Sequence, residues 1–207
     1  MTHNLVRAGL ASALALSVTA CGGGGGGTPQ QTTPVASPFS KYEGNWVSAC
    51  QFHHHEVYTL TSSSNATVLT FADKSEYFAN DDCTGAVVAT GVYSGPIATL
   101  SYLTTEPNAS VTLQTGETVS NAVDKGTGTA TAAAVSFSGS GVSNSTVGGK
   151  PAWHIVYNGG STDVVVQNVQ GATPGGVMLR GGQLYVVTAQ PNTPSGFDAA
   201  TPLTKSP

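Results

Sequence analysis

The stretch Val177-Met178-Leu179-Arg180-Gly181-Gly182-Gln183-Leu184-Tyr185-Val186-Val187-Thr188-Ala189 reads as two short strands around a tight turn. β-Branched and aromatic side chains suit a pleated, half-buried surface. Gly181-Gly182 supplies the positive φ angles that a two-residue hairpin connection needs. The same grammar precedes it: Trp153-His154-Ile155-Val156-Tyr157 turns at Asn158-Gly159-Gly160 into a strand over 162–169. Further back, strands at 86–93 and 97–103 flank Ser94-Gly95-Pro96, and 67–72 with 75–79 form one bent strand. Strands at 56–61 and 45–50 come first, the latter placing Trp46, Ser48 and Cys50 on one side. In the softer middle, 110–119 holds a hairpin about Thr115-Gly116, 128–137 is a long strand of small residues, and 139–149 is an exposed loop.

No segment after residue 38 shows a helical stripe, so the expectation is an all-β domain of roughly eight to ten antiparallel strands. Many strands in succession leave edges that invite pairing with other chains. Closure into an up-and-down barrel removes those edges, and a two-sheet sandwich is the alternative. Only 9% of the 207 residues are charged and the formal net charge is −4. Basic residues are few and scattered, which gives nucleic-acid binding no electrostatic footing.

The N-terminus carries a different signal. Residues 1–7 hold one clear positive charge, Arg7, and 8–20 are small or apolar without any charge. Such a run is too short to span a bilayer, for which roughly twenty apolar residues are needed, and has the length of a signal-peptide core. Val18-Thr19-Ala20-Cys21 then resembles the lipobox of bacterial lipoproteins. The resemblance implies cleavage after Ala20, a lipid on Cys21 and a membrane-anchored chain in the cell envelope. An ordinary secretory signal is the alternative. Gly22 after the cysteine, in place of the Asp typical of inner-membrane retention, points to the outer membrane. Six glycines at 22–27 and a Thr/Pro/Gln run to Pro38 cannot bury enough to offset their ordering entropy and read as a spacer. The expected division is signal peptide 1–20, lipidated cysteine and linker 21–38, β-domain 39–190 and C-terminal tail 191–207.

With Cys21 assigned to lipid, Cys50 and Cys83 remain as an even pair in an oxidising compartment, and a disulfide is expected. Two buried thiols or a metal pair are the alternatives. Gly44-Asn45-Trp46 resembles the Gly-x-Trp motif opening the first strand of lipocalins. Thr162-Asp163-Val164 and Arg180 echo that family's later motifs. Val164 stands where an aromatic is usual, and no C-terminal helix is visible. Trp46-Val47-Ser48-Ala49-Cys50 with Asp81-Asp82-Cys83 is similar to bacterial lipocalin-like lipoproteins. The likeness implies a barrel in which Trp46 plugs one end and Arg180 packs across it.

His53-His54-His55-Glu56 is the one cluster with the look of a site. Imidazoles bind zinc, copper or nickel. Strand alternation, however, sets His53 and His55 on one face and His54 on the other, so they are weak candidates, joined by His154 only if the fold brings it near. No metal or other cofactor is expected. No Gly-x-Ser-x-Gly elbow occurs, the thiols are committed, and Asp81 and Asp82 look like turn formers. Glu43, Asp73 and Glu76 read as solvated charges, so no enzyme is expected. Two roles remain. One is a module enclosing a small hydrophobic ligand, with Phe71, Phe78, Tyr93 and Tyr102 lining a cavity. The other is a structural or interaction lipoprotein with a filled core, meeting partners through a loop such as 139–149.

Overall fold

The computed structural model describes residues 38–65, 67–165 and 170–206, and they form an all-β fold. The lipobox, Cys21 and nearly all of the spacer lie outside the described residues. A 3-10 turn at Ser40–Tyr42 leads into β1 (Gly44–Ser48), β2 (His54–Ser62), β3 (Val68–Phe78), β4 (Val87–Tyr93) and β5 (Ala98–Thr112). β6 (Thr118–Ala130), β7 (Val135–Ser138), β8 (Val142–Val147), β9 (Lys150–Tyr157) and β10 (Gly160–Val165) follow. β11 (Gly171–Arg180), β12 (Gln183–Ala189), β13 (Gly196–Ala199) and β14 (Leu203–Lys205) end the chain.

Most strands belong to one large sheet whose pairings return on themselves. β1 pairs with β2, β2 with β3, β3 with β5, β5 with β6 and β6 with β11. β11 then pairs with β12, β12 with β14, and β14 with β1, which makes the arrangement ring-like. β13 bridges β12 and β5, running parallel to β5 where the other pairings are antiparallel. The eleven-residue β3 has two jobs. Its first half, from Val68 to Phe71, pairs with β5, and Lys74 to Phe78 pairs with β4, which hands on to β7. β8, β9 and β10 form a separate three-stranded sheet.

Three expectations need correction. The 139–149 segment is not a loop, because β8 pairs along β9 from Val142↔Ile155 to Val147↔Lys150. The strand expected over 128–137 breaks after Ala130, and β7 changes neighbour to β4. Thr131-Ala132-Ala133-Ala134 between them offers little side-chain surface to hold a strand in place. Residues 191–207 are not simply a tail, since β13 and β14 complete the sheet there.

Alternation along the strands supplies the interior. Trp46, Leu60, Leu69, Phe71, Leu100, Val177, Leu184 and Leu203 converge from β1, β2, β3, β5, β11, β12 and β14, all at 8% exposure or less. Tyr42 and Phe39 join this cluster from outside the sheet. A second cluster around Val111, Val123, Met178, Val187 and Phe197 fills the region closed by β13. A third, Tyr77, Ala89, Phe137 and Ile155, joins the β3–β4–β7 part to the small sheet. Close backbone approach is built in at Gly126, where an added Cβ would lie 1.8 Å from the Ser101 carbonyl oxygen.

The Phe39–Glu43 segment docks by burying Phe39 and Tyr42 in the core, by Trp46 and Ser62 hydrogen bonds to Tyr42 and Glu43, and through one buried carboxylate. Asp124, 1% exposed, accepts a hydrogen bond from Tyr42 Oη at 2.7 Å and an ion pair from Lys41 Nζ at 2.7 Å. Thr105 Oγ1 donates to its other oxygen at 2.5 Å. Burial, and then the neighbouring Asp124, push the Tyr42 phenol far above its ordinary pKa, so it stays a donor.

Candidate functional site

The sequence brings three turns together at one end of β1–β3. β1 runs out toward Cys50, Gln51 bridges to His54, and the chain reverses at Phe52-His53. Both turn residues take left-handed backbone, with φ of 49° and 71°. Beyond β3 the chain turns at Asn80-Asp81-Asp82 into Cys83, itself at φ 58°. A disulfide joins Cys50 to Cys83, as expected, with Cα atoms 5.8 Å apart. The Asn158-Gly159 turn between β9 and β10 closes on the same region, where Asn158 Nδ2 donates to Asn80 Oδ1 at 3.0 Å.

Backbone and ring contacts tie these turns into one rigid patch. The His53 N–H donates to the Asp81 carbonyl at 3.3 Å, and the Phe78 N–H donates to the His53 carbonyl at 2.7 Å. The His53 ring stacks on Tyr157, centroids 3.8 Å apart and 15° from parallel. The Asn158 N–H donates to the Ala79 carbonyl at 3.0 Å. Thr84 donates through N–H and hydroxyl to Asp82 Oδ1, which holds the exposed Asp82 carboxyl below its ordinary pKa. His53, Asn80, Asp81, Asp82, Asn158 and Gly159 line an open depression of about 550 Å³. Phe52, two residues after Cys50, is 77% exposed. The arrangement offers carboxylates, amides and an aromatic ring on a fixed frame. Non-glycine residues in strained backbone are found preferentially where a surface is used.

The histidines do not share a ligand position. His53 sits in the turn, not on a strand face, and its Nδ1 lies 3.2 Å from the Phe78 carbonyl. His55 Nε2 pairs with Glu76 at 2.9 Å, and His54 Nε2 with Glu56 at 2.9 Å. His154 Nδ1 is held by Asp163 at 3.0 Å. Among the described residues, no three His, Cys, Asp or Glu side chains gather as metal ligands do. Burial opposes charge on His54, but the Glu56 carboxylate outweighs it and raises the pKa. Burial raises and the Lys74 and His55 partners lower the Glu76 carboxyl, with a net downward shift.

Two Ser/His/carboxylate groupings arise that sequence reading did not find. Ser145 Oγ and His154 Nδ1 both meet Asp163 Oδ1, and Ser75 Oγ and His54 Nε2 both meet Glu56. In each, hydroxyl and imidazole converge on the carboxylate and not on each other. Neither sets a nucleophile against a base.

Trp46 is buried, as the motif reading expects, and its Nε1 donates to the Tyr42 carbonyl at 2.7 Å. Gly44 needs its glycine, because φ is 118°. The cation over Trp46 is Lys205, 5.4 Å from the ring, and not Arg180. Arg180 instead reaches Glu117 at 3.6 Å on the surface. Of the residues expected to line a cavity, Phe71 and Tyr102 belong to the Trp46 core cluster and Phe78 does not. Phe71 is core, Phe78 packs edge-on to His55, and Tyr102 packs on Phe39. No family model matches this sequence, no curated protein matches it, and no solved structure matches it.

Proposed function

We propose that the chain is a bacterial envelope lipoprotein, anchored by lipid on Cys21, that presents a solid β-domain to an extracytoplasmic partner. The observation that carries the reading is the filled interior: Phe39, Tyr42, Trp46, Leu60, Leu69, Val177 and Leu184 all lie at 2% exposure or less. That packing favours an interaction role over enclosure of a small hydrophobic ligand. The ring of pairings supports a closed barrel, with β4, β7 and the small sheet as a sandwich-like annex. Gly22 after Cys21 favours the outer membrane.

The disulfide patch is the face proposed to meet the partner. Ser62, at the end of β2, hydrogen-bonds Glu43, the last residue before β1. His54, at the other end of β2, adjoins the patch. A strand rises about 3.3 Å per residue, so the nine residues of β2 set the patch and Glu43 on the order of 25 Å apart.

Fractionation of cells expressing wild type and Cys21→Ser tests the anchor. Labelled fatty acid should enter wild type alone, and Cys21→Ser should be released with its disulfide intact. Membrane association of that variant would remove the lipoprotein reading. Organic extraction and mass analysis of the released domain tests the rest. A stoichiometric hydrophobe would reinstate the ligand-binding role.

A further inference from the structure

We propose that β8 is the contact through which two copies of this chain pair, edge to edge, so that their small sheets become one. β8 forms one side of the small sheet, in the order β10-β9-β8, and among the described residues no strand lies beyond it. Edges that must not pair are usually kept short or defended by charge or proline. Three other edges follow that rule: β7 has four residues, β10 carries Asp163, and the half of β11 that pairs with β6 alone carries Pro174. β8, Val142-Ser143-Asn144-Ser145-Thr146-Val147, has neither charge nor proline along its six residues, and Ser143, Asn144 and Thr146 are exposed.

The backbone fixes which groups face the open side. Paired residues alternate between hydrogen-bonded and non-hydrogen-bonded along an antiparallel ladder, and Val156 N–H donates to the Gly141 carbonyl. In the register that sets Val142 opposite Ile155 and Val147 opposite Lys150, it is then Ser143, Ser145 and Val147 that bond to β9. Val142, Asn144 and Thr146 turn their backbone groups outward, and Val142 N–H reaches the Gly139 carbonyl at 3.4 Å. A twofold axis joining two antiparallel β8 strands keeps every residue on its own face of the sheet, so it must pass beside one residue and not between two. Centred on Asn144, it sets Asn144 opposite Asn144, Ser143 opposite Ser145, and Val142 opposite Thr146 of the second copy. Carboxamide meets carboxamide, hydroxyl meets hydroxyl, β-branched meets β-branched, and no like charges are opposed. The outward groups match as well. Asn144 N–H donates to the Asn144 carbonyl of the second copy, and Thr146 N–H to its Val142 carbonyl, each twice by symmetry. A strand that reads nearly alike in both directions about an outward-bonding residue suits an isologous contact, and this selects a second copy over an unrelated strand. The contact stands whether or not Cys21 carries lipid.

Disulfide trapping tests the register. In the full-length protein with Cys21→Ser, an introduced cysteine is the one thiol outside the Cys50–Cys83 bridge. Asn144→Cys should then oxidise to a dimer, because Cα atoms in a hydrogen-bonded pair lie about 5.5 Å apart, within disulfide reach. Ser143→Cys and Thr146→Cys stand out of register with their own copies, beyond the roughly 7 Å limit, and should dimerise about tenfold more slowly or less. Adding Thr146→Lys to Asn144→Cys should slow trapping about tenfold, and adding Ser161→Lys, on β10, should leave it unchanged. If Asn144→Cys does not fold, an equimolar mixture of Ser143→Cys and Ser145→Cys, which the register sets opposite each other, makes the same comparison against either alone. Asn144→Cys that dimerises no faster than Ser143→Cys and Thr146→Cys overturns the proposal. So does a trapping rate that Thr146→Lys leaves unchanged, or that Ser161→Lys lowers as much.

Discussion

Replacing Cys50 and Cys83 together by alanine probes the patch and the fold at once. The bridge joins residues 33 apart in sequence. Chain-entropy arithmetic gives such a loop about 3.5–4 kcal/mol of stabilisation through the unfolded state. Part of that is offset in the folded state. Phe52, His53 and Cys83 are held at positive φ, and left-handed backbone costs a non-glycine residue on the order of 1 kcal/mol. Without the bridge the Phe52-His53 and Cys83 turns relax, recovering about 1–2 kcal/mol. The expected loss is therefore about 2–3 kcal/mol, or a Tm lower by about 5–10 °C for a domain of this size. Urea unfolding of the double variant measures it, followed by fluorescence of Trp46 and Trp153. A loss under about 1 kcal/mol would mean that the bridge does not restrict the unfolded chain as argued. One above about 5 kcal/mol would mean that the patch carries stability which neither entropy nor strain explains. Either result refutes the reasoning.

Gly126→Ala should be among the most damaging single-methyl changes, costing about 3 kcal/mol or more by thermal denaturation, because the clash is with the Ser101 backbone. A loss under about 1 kcal/mol would show that β5 yields at its irregularity after Tyr102. Trp46→Ala should cost about 3–5 kcal/mol and Arg180→Ala less than about 1 kcal/mol in the same assay. A large effect at Arg180 would return it to the role across Trp46. For His54, the folded-state pKa lies above the unfolded value of 6.5. The pair with Glu56 therefore stabilises fully below about pH 6.5 and fades as pH rises through the folded-state value. Urea midpoints of wild type should fall across that window relative to Glu56→Gln, and parallel pH profiles would sink the assignment.

Local signals were enough for the hairpins and for the bridge. Gly181-Gly182, with φ of 59° and 78°, turns β11 into β12 as its residue types require, and Gly116 at φ 85° turns β5 into β6. Cys50 and Cys83 needed only to be the remaining pair. The patch around them was half legible. Asn80-Asp81-Asp82 and Asn158-Gly159 announce turns, but nothing near either says that the two will meet. That meeting depends on the small sheet docking through Ile155 against Tyr77, Ala89 and Phe137. The His-His-His run misled in a physical way. Alternation holds only within a strand, and the reversal at Phe52-His53 ends the strand before the rule applies to His53.

The largest misreading, 191–207 as a tail, shows why short strands escape a local reading. Leu203-Thr204-Lys205 has no pattern long enough to register, and Gly196-Phe197-Asp198-Ala199 alternates for only four residues. Their stability is borrowed from neighbours fixed elsewhere. β14 fits between β12 and β1, so Leu203 joins the Trp46 cluster and Lys205 reaches the Trp46 ring. β13 fits between β12 and β5 and places Phe197 in the second core. Without β14 nothing links β12 to β1, and the ring of pairings stands open at the strand that carries the spacer. The Trp46 motif hinted at a closed structure, but the strand that closes it is the one whose sequence says least about itself. Closure here is a property of the assembled sheet, where a three-residue strand is stable because two longer ones already flank its place.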